Sequence, residues 1–189
     1  MSGIAKLNEL EALRRGGPAP SDYVTWRRLA CQIPHQFAFA PSNLTTPIAL
    51  IDIFRSAVRV IARRDYTLAQ VTAWAPDEMD VGAWAAHGAR EQTFVAEIDG
   101  VRVGFTSLEP DGHLDLLFVH AEHQRRGIAS ALLARAESAA RDRGLTRLFT
   151  ESSITARAFF ESRGFRMIGP QRVSIRGQEF INHRMEKAL

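Results

Sequence analysis

Between residues 46 and 63 apolar side chains recur every three or four positions, at Ile48, Ile51, Ile53, Phe54, Ala57, Val58 and Ile61. That spacing predicts a core-facing helix, closed by the basic pair Arg63-Arg64 at its negative dipole end. A second helix is expected over 67–74, stopped by Pro76, and a third, capped by Asp80, through Trp84 to His87. Upstream, Ile4, Leu7, Leu10 and Leu13 mark a short amphipathic helix over 4–15 that ends in the breaker run Gly16-Gly17-Pro18-Ala19-Pro20. Ser21 or Asp22 could cap another helix carrying Tyr23, Trp26 and Leu29, and residues 35–40 (HQFAFA) alternate as a strand does.

The period then shifts to two. Residues 93–98, the pair Asp99-Gly100 and residues 101–108 read as a hairpin with a tight turn. Pro110-Asp111-Gly112 turns the chain again into a strand over 113–119. A helix over 127–143, a strand over 145–151, a helix over 155–163 and two strands around Arg176-Gly177 follow. A meander feeding a strand-helix-strand crossover predicts a mixed α/β sheet. It should form one domain over 34–189, preceded by a helical extension, 1–33, with its linker at 16–20.

Composition narrows the class without changing this layout. The 189 residues are 46% apolar and 24% charged, enough for a packed core and too ordinary for a fibrous or disordered chain. The longest uncharged stretch, 33–51, is broken by Pro34, Pro41 and Pro47, which excludes a continuous membrane helix. Glu9 and Glu11 stand where a signal peptide needs an apolar run, and the single Cys31 has no partner for an internal disulfide; both point to the cytoplasm. Of the net charge of +3, residues 1–33 carry most, with five Lys/Arg against three acids. The nearly neutral remainder lacks the footprint of a nucleic-acid binder.

Candidate chemistry concentrates after the strand that ends at Val119. There Gln124-Arg125-Arg126-Gly127-Ile128-Ala129-Ser130 sets a basic pair and a glycine at the first turn of an amphipathic helix. Free amides, a positive dipole end and small residues together suit a phosphate. A solvated, glycine-opened helix start is the plainer alternative. Neither the Walker pattern nor GxGxxG occurs.

Gln124-x-x-Gly127-x-Ala129 resembles the Q/R-x-x-G-x-G/A signature of the GNAT superfamily of acyl-CoA N-acyltransferases. Ala156-x-x-Phe159-Phe160-x-x-x-Gly164-Phe165 is similar to its second signature, A-x-x-F-Y-x-x-x-G-F, at the right separation. Asp65-Tyr66-Thr67-x-x-Gln70 with Trp74-Ala75-Pro76, and the run from Ser153 to Glu161, look most similar to the small bacterial YafP-like branch. The resemblance covers about residues 34–189. It implies the GNAT fold, a mostly antiparallel sheet with a strand-helix-strand crossover and flanking helices.

The resemblance also implies an acetyl-CoA-dependent N-acetyltransferase, working by direct attack of an amine in a ternary complex, with no metal. Pantetheine would pair with the main chain of Leu117, Phe118 and Val119, and the pyrophosphate would sit on the amides from Gln124 to Ser130. Ser153 falls where many relatives bond the cofactor through asparagine, and Phe159 and Phe160 would lie against the thioester. A main-chain N–H near Leu117–Val119 would serve the oxyanion. The period of two places His113, Asp115, Leu117 and Val119 on one face, so Asp115, and after it His113, are candidates for the base; pairing with an arginine is the structural alternative for Asp115. The family's acid, a tyrosine, is replaced by Phe160, leaving Tyr66, Ser152, Ser153 or water. This departure keeps open a second reading, an impaired acyl-CoA-binding or partner-binding module.

Tyr66, Gln70 and Trp74, spaced by four, share a helix face that either belongs to the core or clasps the acceptor amine. His120, Glu122 and His123 lack the spacing of a zinc site and read as solvated. The acceptor would be a small-molecule or peptide amine rather than nucleic acid or membrane, and a homodimer stays open.

Overall fold

The computed structural model describes residues 38–41, 47–88 and 91–189. The expected helices over 4–15 and around Trp26, the linker and residues 35–37 of the expected strand lie outside the described residues. Those described belong to one compact unit, Phe37–Leu189.

Two antiparallel sheets form the frame. The first orders β1 (Ala38–Pro41), β2 (Gln92–Ile98), β3 (Val101–Leu108) and β4 (Leu114–Val119). The second orders β5 (Arg147–Ser153), β7 (Gln178–Ala188) and β6 (Arg166–Ile175), with β7 in the middle. Asp99 (φ 51°) and Gly100 (φ 78°) turn β2 into β3, and Arg176 (φ 47°) and Gly177 (φ 78°) turn β6 into β7. Paired left-handed residues of this kind match the twist of the flanking strands.

The expected single mixed sheet is thus divided, and the sheets meet through one parallel bridge, His113 to Phe149. Gly112 allows that approach. Its φ is +96°, and a β-carbon there would stand 2.6 Å from the Arg147 carbonyl oxygen. The Phe149 N–H donates to the Gly112 carbonyl at 3.1 Å, and the Thr150 hydroxyl donates to the Leu114 carbonyl at 2.8 Å. Past these ties β4 and β5 belong to different sheets and part.

Helices cover both faces. α4 (Ile128–Asp142) buries Ile128, Leu132, Leu133, Ala136 and Ala140 in a core with Leu114, Val119, Leu148 and Phe160. A second core joins α1 (Pro47–Ser56) and α2 (Leu68–Trp74) to Val95, Phe105 and Phe180. α3 (Val81–Gly88) is capped as expected, the Ala83 N–H donating to Asp80 Oδ1 at 2.9 Å. α5 (Ile154–Ser162) follows β5 directly.

Two local departures matter. The helix expected over 46–63 is α only to Ser56; a π-helical turn, Ala57–Ile61, and a 3₁₀ turn, Ala62–Arg64, complete it. Apolar spacing of three and four tolerates one widened turn, so periodicity alone does not reveal it. The strict alternation expected over 113–119 also fails. Thr106 pairs with Leu117 and Leu108 with Leu114, so β4 takes three steps where β3 takes two. Across this bulge Leu114, Leu117 and Val119 face the α4 core, whereas Leu116 and Phe118 face the other. Asp115 sides with Leu116, not with Leu117.

Candidate active site

Where β4 and β5 part, a cavity of about 840 Å³ opens between them. Its first end lies on the start of α4. The Gln124 side-chain amide donates to the Val119 carbonyl at 2.7 Å, so the loop is tied to the end of β4. Arg125 (φ 62°) and Gly127 (φ 82°) then reverse the backbone into the helix. A β-carbon at Gly127 would meet nothing within 4 Å, so the space over these amides is free for an anion. Every residue from Gln124 to Ser130 except Arg126 lines the cavity, as do Leu117 to Val119, Ser153, Phe159 and Phe160. Arg126 turns instead to His123 Nδ1 at 3.0 Å. Arg163, which the motifs did not single out, lines this end too, donating to Ser130 Oγ at 2.7 Å and lying over the Phe159 ring.

The Ser153 hydroxyl accepts from the Ala156 N–H at 3.1 Å. It is the cap of α5, which explains a serine at this position. Phe160 is 3% exposed and packs edge-on against Phe159 and Phe165.

The middle of the cavity is acidic. Asp115 and Glu151 are the carboxylates that line it among the described residues, and each meets a histidine. His87, at the end of α3, lies with Nε2 2.8 Å from Asp115 Oδ2 and 3.0 Å from Glu91 Oε1. Because both neighbours are acceptors, Nε2 carries the hydrogen. Burial opposes the imidazolium, but the hydrogen bond to Asp115 and the charges of Glu91, Asp115 and Glu109 outweigh it and raise the pKa of His87. The Glu91 side chain is 2% exposed, and burial raises its pKa against the lowering effect of a hydrogen bond with Ser107.

His113 sits outside the cavity wall, stacked on Phe149 at 5.0 Å. Its Nε2 meets Glu151 at 2.6 Å and its Nδ1 Glu109 at 3.3 Å. Burial again opposes the charge, but the bond to Glu151 and the surrounding carboxylates leave the pKa raised. His113 therefore holds a cavity carboxylate rather than facing the cavity. Asp115 pairs with His87, not with an arginine. Neither His87 nor Glu91 was singled out from sequence, although their spacing of four with a carboxylate was a visible signal.

The far end is aromatic. Tyr66 and Trp74 line it with Phe54, Phe118 and Phe180. The Tyr66 hydroxyl accepts from the Ile154 N–H at 2.9 Å, and its proton faces the Ile181 carbonyl at 3.5 Å. Burial raises its pKa despite the Ile154 bond. Gln70 is not in the wall: it closes a capping box with Thr67, and its amide donates to the Glu179 carbonyl at 2.7 Å. Its place on the Tyr66 face serves the docking of α2 on β7. The expected stripe is thus two residues, both shared with the core. In the loop after β4, His120 Nδ1 accepts from the Glu122 N–H at 3.3 Å, so that imidazole is engaged within its own turn.

Comparison with known proteins identifies the family and the fold. Residues 62–187 match the acetyltransferase (GNAT) domain family. The uncharacterized N-acetyltransferase YafP of Escherichia coli strain K12 is 40% identical over 139 residues, covering 72% of this chain and 85% of its own. A GCN5-related N-acetyltransferase from Rhodopseudomonas palustris superposes with a TM-score of 0.78 at 32% identity, over 82% of this chain and 96% of its own. PaiA N-acetyltransferase of Thermoplasma acidophilum, solved with coenzyme A, shares the fold at 18% identity and a TM-score of 0.64, over 80% and 99%.

Proposed function

This chain belongs to the GNAT acetyltransferases and is an N-acetyltransferase; from that premise we propose that it transfers acetyl from acetyl-CoA to an amine by direct attack in a ternary complex. The observation that carries the reading is one continuous cavity joining the α4 amides, the parted strands and the Asp115–Glu151 pair. The open space over Gly127 and the main chain of Leu117–Val119 suit the pyrophosphate and pantetheine of CoA, whose thioester supplies an activated acetyl group. Arg125 and Arg163 add positive charge at the phosphate end.

Asp115 is the base, directly or through a water, and His87, 2.8 Å away, orients it. The ammonium gives one proton to Asp115, the N–C bond forms as C–S breaks, the second proton shed by the nitrogen passes to water, and the departing thiolate takes one proton from that water or from Tyr66, which the water then reprotonates. Burial keeps Tyr66 protonated, as an acid must be, and a thiol of pKa about 8.5 leaves without strong help, so Phe160 does not preclude turnover. A main-chain N–H of Leu117–Val119 donates to the acetyl oxygen.

The test is to incubate the chain with acetyl-labelled acetyl-CoA, with and without a panel of amines. CoA release that requires amine, with no label retained on the protein, is expected. Label on the protein after gel filtration would refute the ternary complex, and CoA binding without transfer to any amine would refute the activity.

A further inference from the structure

Resting on that N-acetyltransferase reading, we infer that the acceptor is a small primary amine carrying an aromatic ring, not a polyamine or a peptide lysine. The far arm of the cavity is built from five rings on separate segments: Phe54 of α1, Tyr66, Trp74 of α2, Phe118 of β4 and Phe180 of β7. Trp74 is the centre of the group. It stands edge-on to all four others, with centroids 5.6 Å from Tyr66, 6.0 Å from Phe180 and 6.4 Å from Phe54 and Phe118. Trp74 and Phe118 are only partly buried and face the cavity, so a planar group entering the arm meets aromatic surface at the spacings ring pairs favour.

Charge points the same way. The cavity carboxylates among the described residues, Asp115 and Glu151, both lie at the junction of β4 and β5, where the amine must reach the thioester. No second carboxylate lines the aromatic arm among those residues, so the distal ammonium of a diamine would be desolvated there without an anion. A ring in its place gains burial instead. A polar group also waits in the wall: Asn182 Oδ1 is buried, lines the cavity and has no donor. An unspent acceptor there is satisfied by an N–H or O–H that the ligand brings.

The experiment compares 2-phenylethylamine and tryptamine with n-butylamine, putrescine, spermidine and an N-blocked lysine peptide. Binding to the complex of the full chain with CoA is measured by calorimetry, and acetyl transfer by CoA release. The arylalkylamines should bind at least about tenfold tighter than n-butylamine or the polyamines and have the highest kcat/KM. Trp74→Leu should raise KM for 2-phenylethylamine several-fold, with kcat and the CoA-induced rise in Tm largely kept. Asn182→Leu, less exposed to folding failure, should change the ranking among ring-substituted amines that carry a donor. Equal or tighter binding of putrescine, spermidine or the lysine peptide would overturn the inference while leaving N-acetyl transfer standing. Aromatic amines that bind selectively yet are not acetylated, while another amine of the panel is, would overturn the inference; no transfer to any amine of the panel would refute the proposed reaction instead.

Discussion

In the proposed mechanism Asp115 is the base, and its setting makes that role testable. Asp115→Asn keeps the shape and the hydrogen bond to His87 but removes the carboxylate. Turnover should fall by about 10²- to 10⁴-fold, the usual cost of a lost general base, while the CoA-induced rise in Tm is retained. Any wild-type rise of kcat/KM with pH that survives correction for amine ionisation should vanish in this variant. Unchanged kcat/KM would make Asp115 structural. From sequence, the choice of Asp115 rested on strand alternation, and the residue was found in the cavity for a different reason: the bulge turns it away from Leu117 and toward α3. Its partner His87 lies 28 positions upstream, a separation no local pattern encodes. Gln70 shows the converse. Its spacing of four from Tyr66 and Trp74 suggested a shared helix face, yet Tyr66 precedes the Thr67 cap of α2 and the Gln70 amide is committed to the exposed Glu179 carbonyl on β7.

At the scale of elements, two turns carry opposite duties. In the proposed binding mode the start of α4 holds the CoA pyrophosphate through what it leaves open, so Gly127→Asp should abolish ligand stabilisation: a carboxylate would occupy the proposed anion position, on a residue whose φ is +82°. For the wild type, CoA at a hundred times its Kd should add about 2.7 kcal/mol, several degrees in Tm. A full shift in the variant would move the anion site elsewhere. Gly112 works through what it lets approach. Gly112→Ala should destabilise the fold by about 1–3 kcal/mol, from the left-handed backbone alone and more if the clash with the Arg147 carbonyl is not relieved; urea unfolding measures it, and a loss below about 0.5 kcal/mol would mean that the junction tolerates separation. The Asp99-Gly100 hairpin, the Asp80 cap and the amphipathic α4 were legible beforehand because each is specified within a few residues. The π-helical turn after α1 was not, since it changes a hydrogen-bond pattern without changing the apolar face.

For the molecule as a whole, the imidazole–carboxylate contacts couple α3 to the first sheet and the first sheet to the second, through His87–Asp115 and His113–Glu151. Both histidines have raised pKa values in the folded state. The stability they supply is therefore complete below the unfolded histidine value of about 6.5 and is lost as pH rises through the higher folded values. Glu91, also raised, acts in the same direction above its ordinary range. Tm should fall as pH rises above about 6.5, and the double variant His87→Gln with His113→Gln should flatten that slope; a wild-type Tm that is level or rises there would show that the contacts are not coupled to folding. What the sequence determined by itself was the order of helices and strands, the tight turns, the Gln124–Ala129 loop and the second signature from Ala156 to Phe165, and through them the family. Each depends on chemistry between neighbours along the chain. Tertiary structure alone decided the division into two antiparallel sheets, the face on which Asp115 stands, the histidines that hold the two cavity carboxylates and the gathering of five rings into one arm. Those follow from strand register and from contacts between residues tens of positions apart, which leave no periodic trace in the sequence.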